Sequence, residues 1–436
     1  MKKLIAMAIV ASLVLSLAGC AGSKSETTET VTTSAVTVAD STDAATDAPA
    51  ETVEKKDIKF YGKVIEYTSG PKMTDALIEK LKDKYNIEAI QVDWSNMDKV
   101  IRTGVASGTP CDIYNYPPAA MANFKDLAVD LTPYLDADPE WKAQFEPAAL
   151  EACKVDGKIL SIPWESNFTV ALANKKMLDD LGIVIPESWT IEEFSVVAKK
   201  IQDAGFFPFA NATDLGRASW MFRNAIMSTT LSAGTYPQFI TGDLSFTGVE
   251  TTTALEKVKS LYDNKFMYPG DGAVTVKNDE IKAAFYQGKI AIMAEIAAGA
   301  KVTADGADFE VVPVPWPSAG KTGAINGGYN GFFIPQNASD IDAAIEVLKA
   351  FTSPEIQAIH AADGYIPANK NVEVTDPFVK IIVAQAATLA SPEFPSVAEL
   401  SDYYSNNIMP DLILDGGIDK VTEMLEGFRQ VYLSSK

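Results

Sequence analysis

Val155 to Lys175 reads VDGKILSIPWESNFTVALANK: a turn, a short apolar strand, an abrupt Pro-Trp-Glu-Ser, then a second apolar strand. Trp164 and Glu165 are the residues of this stretch whose types can do chemistry. An indole offers a flat apolar face and one N–H donor. A carboxylate accepts charge-assisted hydrogen bonds. Neither belongs inside a buried strand unless the strand is kinked there, or crosses between two domains at a place where a ligand sits. Other chemistries are poorly provided for. His360 is the only histidine, and apart from Cys20 the cysteines are Cys111 and Cys153, neither with a neighbour at metal-ligand spacing. A His/Cys zinc site is thereby excluded. Asp130, Asp136, Asp138 and Glu140 lack the spacing of an EF-hand loop and read as a solvated face. Cys111 and Cys153 read as buried free thiols, with a bridge in an oxidising compartment as the alternative. No metal and no cofactor is expected.

The elements that must position Trp164 and Glu165 alternate between strand and helix. Val64 to Tyr67 reads as a strand, followed by a helix capped by Thr74 with Leu77, Ile78, Leu81 and Tyr85 at helical spacing. Ile87 to Val92 is a second strand. Asn96 opens a helix that Gly108-Thr109-Pro110 ends, and Cys111 to Tyr114 is a third strand. Such alternation implies parallel pairing with right-handed crossovers, and ligands of such sheets bind at the carboxyl ends of strands. Trp94 follows the second strand and Tyr114 to Tyr116 the third, which puts both near that edge. After Asn174 the pattern restarts. Thr190-Ile191-Glu192-Glu193 is a capping box, Asn278 begins a helix closed near Gly288, Ile290 to Met293 is a strand, Ser339 caps a helix, and Ser353-Pro354 starts another.

The N-terminus speaks to compartment. Lys2 and Lys3 precede an apolar run, Leu4 to Leu17, too short to span a bilayer comfortably. Leu17-Ala18-Gly19-Cys20 resembles the lipobox of bacterial lipoproteins, in which the cysteine is lipidated. Residues 21–57 contain no aromatic residue and are rich in Thr, Ser, Ala and acids, the composition of a solvated tether. Acids outnumber bases 58 to 37, for a net charge of −21. No basic run follows residue 56, which argues against a nucleic-acid partner.

From Val155 to Phe194 the chain resembles the middle signature of extracellular solute-binding proteins of the sugar-binding ABC-transporter family, the maltose-binding-protein-like group. An acidic-Gly-Lys turn leads to a buried strand and a proline; then come a strand ending in Asn-Lys, a helix, and a Pro-x-x-Trp-Thr capping box. AFYQGKIAIM, GGYNGFFIPQNA and GYIPANK resemble three later elements of that family in the same order. One departure is visible. Where members usually carry tyrosines before the Asn-Lys, Ala171 and Ala173 stand here, which puts sugar contacts from that strand in question.

The resemblance implies an α/β chain of two lobes in the type II periplasmic-binding-protein-like arrangement, each a mostly parallel sheet flanked by helices, with a ligand cleft between them. It implies a signal peptide at 1–19, a lipidated Cys20 and tether at 20–57, an N-lobe at 57–165 plus 327–372 and a C-lobe at 166–326 plus 373–436. The expected function is capture of a sugar or oligosaccharide for the permease subunits of an ABC importer. The expected protein is a monomer outside the cytoplasm, lipid-anchored at the outer face of the cell membrane. Trp164 and Glu165, an aromatic plane beside an acceptor of hydroxyl hydrogen bonds, are the first candidates for ligand contact. Tyr329 and Asn330, after Gly327 and Gly328, are the second, with Trp94, Tyr114, Trp220 and Trp316 as further candidates. Two other classes remain: a binder of a peptide, amino acid or polyamine, for which Arg102, Arg217 and Arg223 are the candidate carboxylate clamps, and a secreted glycosidase, which lacks any carboxylate pair close in sequence.

Overall fold

The computed structural model describes residues 55–434 apart from 66, 93–95, 109–110, 392–393 and 395–397. Cys20, Trp94 and the tether as far as residue 54 lie outside the described residues, and the last two residues assigned to the tether, Lys56 and Asp57, instead open the first strand. Period-two burial builds the first strand, β1 (Lys56–Lys63), in which Ile58 and Phe60 point inward between exposed Asp57 and Lys59. The chain therefore spends its first strand before Val64–Tyr67, where sequence reading put it. Val64, Ile65, Tyr67 and Thr68 lie between that strand and helix Ser69–Leu81. Pro71 sits in the first turn of that helix, where its missing N–H costs nothing. Thr74 lies inside the helix rather than at its cap, and its hydroxyl donates to Gly70 O at 2.8 Å. The other corrected cap is at 339: Asp340, not Ser339, accepts from Ala343 N at 2.9 Å, while Ser339 donates to Asp112. The Thr190–Glu193 capping box forms as expected, and Gly108 and Gly288 end their segments at φ 70° and 67°.

The remaining strands are β2 (Tyr85–Gln91), β3 (Ile113–Tyr116), the short hairpin β4 (Lys154–Val155) and β5 (Lys158–Ile159), β6 (Ile162–Asn174), β7 (Phe207–Ala210), β8 (Ile290–Ile296), β9 (Val311–Val314), β10 (Ile325–Phe333) and β11 (Ala390–Ser391). Apart from the hairpin they join in the order β2-β1-β3-β10-β6-β8-β7, with β9 also on β6 and β11 on β10. Pairing is parallel between β1 and β2, β1 and β3, β7 and β8, and β10 and β11. It is antiparallel wherever β6 takes part, and between β3 and β10. The fold is thus mixed α/β, parallel in its outer strands and antiparallel through the long central ones.

The described residues form one unit, yet its apolar side chains divide into two clusters. One runs from Ile58 to Trp164 and from Phe332 to Ile356. The other runs from Phe168 to Ile325, then takes in Ile366 and residues of 379–425. Three segments pass between them. β6 leaves the first cluster at Trp164 and enters the second at Phe168, β10 makes the return passage between Ile325 and Phe332, and the third passage lies between Ile356 and Ile366. The interruption that stood out in the sequence is this passage.

Candidate functional site

At the passage β6 and β10 pair antiparallel, with Phe168 opposite Gly327, Asn167 opposite Gly328, Ser166 opposite Tyr329 and Glu165 opposite Asn330. Directly opposed residues share a face and successive residues alternate. Glu165, Asn330, Asn167 and Gly328 therefore lie on one face, Ser166 and Tyr329 on the other. Gly327 is required by contact, since a Cβ there would lie 2.4 Å from Phe168 Cβ. Gly328 is exposed, and a Cβ would meet nothing within 4 Å. On β6's other edge, Ser166 N donates to Ile366 O at 2.8 Å and Ala368 N to Trp164 O at 3.0 Å.

The first face is where carboxyl ends of strands converge. Tyr67, just past the end of β1, brings its hydroxyl to 3.4 Å from Asn330 Nδ2. Ala298, just past the end of β8, donates its N–H to Asn167 Oδ1 at 3.1 Å. Asn330 Nδ2 donates to Glu165 Oε2 at 2.6 Å. Asn330 Oδ1 and Asn167 Nδ2 then have no hydrogen-bond partner among the described residues, and both side chains are half-buried. Asn330 and Asn167 are thus diagonal neighbours on one face, one with a spare acceptor and the other with a spare donor, beside the open backbone of Gly328.

Trp164 and Glu165 are covered at this face rather than open on it. Trp164 is 1% exposed and Glu165 fully buried. The indole packs on Phe332 at 5.8 Å and His360 at 5.0 Å between ring centroids. A bulge explains why both turn inward on the same side: Asn330 pairs with Glu165 but Gly331 with Pro163, so Trp164 is the extra residue. Tyr329 turns to the opposite face, into a cavity of ≈ 340 Å³ that it shares with Ser166, Ala149, Pro367 and Val383. Burial first, then the nearby Cys153 and Glu146, raise its phenol above the ordinary range.

The other candidates sit in the cores. Tyr114 is 1% exposed, stacked on Phe333, and its hydroxyl accepts from Cys111 N at 3.0 Å. Trp316 is buried edge-on to Phe209. Trp220 is buried under the Arg217 guanidinium, 5.1 Å from its ring. Arg217 in turn binds Glu295 at 2.6 Å, a carboxylate that Lys282 also reaches at 2.9 Å. Burial pushes the Glu295 carboxyl upward, but the two cations outweigh it and hold it below the usual range. Arg217 is thereby engaged, and Arg102 lies over Phe124 at 4.7 Å. Cys111 and Cys153 are buried free thiols, pushed up by burial to about 11 and about 12. Among the described residues no cluster of His, Cys, Asp and Glu could hold a metal ion, and no helix is long and apolar enough to cross a membrane.

Residues 72–395 match the family described as bacterial extracellular solute-binding protein. The chain belongs to that family. The membership makes this a solute-binding protein that works outside the cytoplasm. An ABC transporter extracellular-binding protein of Pyrococcus horikoshii is 24% identical over 423 residues, covering 90% of this chain and 91% of the relative. Among solved structures, a chitin oligosaccharide binding protein shares the fold with a TM-score of 0.71 at 21% identity, over 86% of this chain and 100% of the other. So does an ABC substrate-binding protein from Listeria monocytogenes in complex with cycloalternan, with a TM-score of 0.71 at 18% identity, over 87% of this chain and 100% of that one.

Sequence reading of the solute-binding protein passed over Tyr67, Asn167 and His360. Asn167 was findable, standing two residues beyond Glu165 on one strand. Tyr67 was hidden by the misplaced first strand. Nothing local marks His360 as a neighbour of Glu165.

Proposed function

We propose that this protein captures a carbohydrate, a sugar or oligosaccharide, on the Asn167–Asn330 face of the passage and delivers it to the permease subunits of an ABC importer. The observation that carries this reading is the pairing of an unpartnered acceptor, Asn330 Oδ1, with an unpartnered donor, Asn167 Nδ2. Each hydroxyl of a sugar both donates and accepts, so such a pair suits it better than a cluster of one polarity. Tyr67, and Trp94 after β2, are the aromatic candidates for the CH faces of the rings. Glu165 acts from beneath through Asn330. Two solved proteins of the same fold, the chitin oligosaccharide and cycloalternan binders, take ligands of this class.

The proposed lobes are 57–165 plus 327–372 and 166–326 plus 373–436; the two apolar clusters support this division except at Ile366, which packs with the second cluster. Binding closes them about Pro163 to Asn167 and Asn326 to Asn330, and closure is what the permease reads. Cys20 carries the lipid that anchors a monomer to the outer face of the cell membrane. A Cys20→Ser variant should leave the membrane pellet. No reaction is performed on the ligand.

A glycan array probed with the tag-free protein, with amino acids, peptides and polyamines tested in parallel by thermal shift, decides the ligand class. Selective binding to an oligosaccharide supports the proposal. Binding to an amine or peptide with silence on the array overturns it.

A further inference from the structure

Glu165 is a fully buried carboxylate without a lysine or arginine among the partners that reach it. Its Oε2 accepts from Asn330. Its Oε1 faces His360 Nε2 at 3.5 Å. Three buried polar atoms on neighbouring residues lack a hydrogen-bond partner among the described residues: the Trp164 indole nitrogen, Glu165 Oε1 and His360 Nε2. Native interiors leave few such atoms, and a cluster of them asks for a reason. The far side of the imidazole is satisfied, with Ser69 Oγ 2.8 Å from Nδ1. His360 is fully buried, and Tyr365 stacks on it at 4.7 Å with an interplanar angle of 5°. Trp164 at 5.0 Å and Tyr67 at 6.0 Å complete an aromatic enclosure.

An ionised carboxylate only accepts hydrogen bonds, so Asn330 must turn its NH₂ toward Glu165 and its Oδ1 outward. A protonated carboxyl would donate to Oδ1 and send the NH₂ outward instead. A buried carboxylate oxygen needs a donor, and His360 Nε2, 3.5 Å from Oε1, is the group placed to supply one. A hydrogen on Nε2 satisfies the orphaned oxygen. Ser69 accommodates that arrangement, because a hydroxyl both donates and accepts. Asp363, three residues after His360, is paired with Lys72 at 2.7 Å.

We propose that His360 is a positioning residue for the ligand site: it donates from Nε2 to Glu165 Oε1, keeps Glu165 an acceptor, and so fixes the Asn330 amide with Oδ1 toward the ligand. The site then selects a ligand group that donates at that point, a hydroxyl or an amine. This rests on the passage being the ligand site, but its test reads the imidazole and needs no ligand.

Because His360 is the sole histidine, long-range ¹H–¹⁵N correlation spectra of the tag-free, histidine-labelled protein report one ring. The expected spectrum shows hydrogen on Nε2, with a resonance that moves in Glu165→Gln. A ring with Nε2 bare and hydrogen on Nδ1 alone overturns the proposal. Two variants then separate positioning from packing. His360→Gln keeps a donor toward Oε1, whereas His360→Phe keeps a ring and removes the donor. The Asn330 side-chain NH₂ should keep its exchange protection in the first and lose about tenfold in the second, the scale of one ordinary hydrogen bond. Equal protection in both folded variants also overturns it.

Discussion

Two glutamates of the central strands are equally buried and very differently held. Glu295, at the end of β8, receives Arg217 at 2.6 Å, Lys282 at 2.9 Å, Thr303 Oγ1 at 3.2 Å and its neighbour Ile296 N at 2.8 Å. Glu165, at the passage between the two apolar clusters, receives an amide at 2.6 Å and faces an imidazole at 3.5 Å. Each sits at 0% exposure. A buried carboxylate with two cations is a fixed structural charge. One with an amide and a titratable ring is held by groups that can change sides. The difference separates a charge that anchors the second apolar cluster from one that prepares a face for a ligand.

The comparison breaks most visibly at Arg217. Arg217→Met should cost about 3–5 kcal/mol, because it leaves a buried carboxylate short of a cation. Chemical denaturation checks this, and a loss under about 1 kcal/mol would place Glu295 in water. Glu165→Gln should be far milder for the fold, because no lysine or arginine is left without its carboxylate. In binding it should cost about 1–2 kcal/mol, one disturbed hydrogen bond at the ligand face. Calorimetry with the bound oligosaccharide measures it, and a stability loss as large as that of Arg217→Met would erase the distinction between the two sites.

A half-buried carboxylate sharpens the scale from below. The Arg429 guanidinium beside Glu426, followed by burial acting the other way and by bonds from Gln430, Phe246 N and Ser245, holds its carboxyl down at about 2. A carboxyl lower in the folded than in the unfolded state adds stability above its ordinary value, 4.5 here, and that contribution fades as pH falls toward 2. Glu426→Gln should therefore cost about 1 kcal/mol near neutrality, and the penalty should vanish in melts near pH 2. A penalty independent of pH would mean that shape, not charge, is what Glu426 supplies.

How far the sequence carried these distinctions depends on the range of the forces involved. Local ones were legible: the Thr190–Glu193 box, the glycine stops at 108 and 288, and the passage itself, marked by polar residues between two apolar runs. Placement on a face was not. The bulge at Trp164 is set by the register of β10, so the indole and carboxylate that looked like ligand contacts turn into the interior. The first strand was misplaced because IKFYGK, interleaved with lysines, looks like the end of the tether until β2 and β3 flank it. Glu165 meets His360 only through the third passage of the chain, which no local spacing announces. Glu295 shows the same limit. In IAIMAEI it reads as the polar end of a strand, and its two cations come from separate segments.

The central claim is that the Asn167–Asn330 face binds the solute. Calorimetric titration of the wild type and an Asn167→Ala/Asn330→Ala variant with the oligosaccharide selected on the array tests it most directly. Two lost hydrogen bonds predict an affinity lower by about a hundredfold, measured well below a melting temperature that falls because the variant strands Glu165 Oε2 and the Ala298 N–H. An unchanged affinity in the folded double variant would contradict the claim and move the ligand away from the passage.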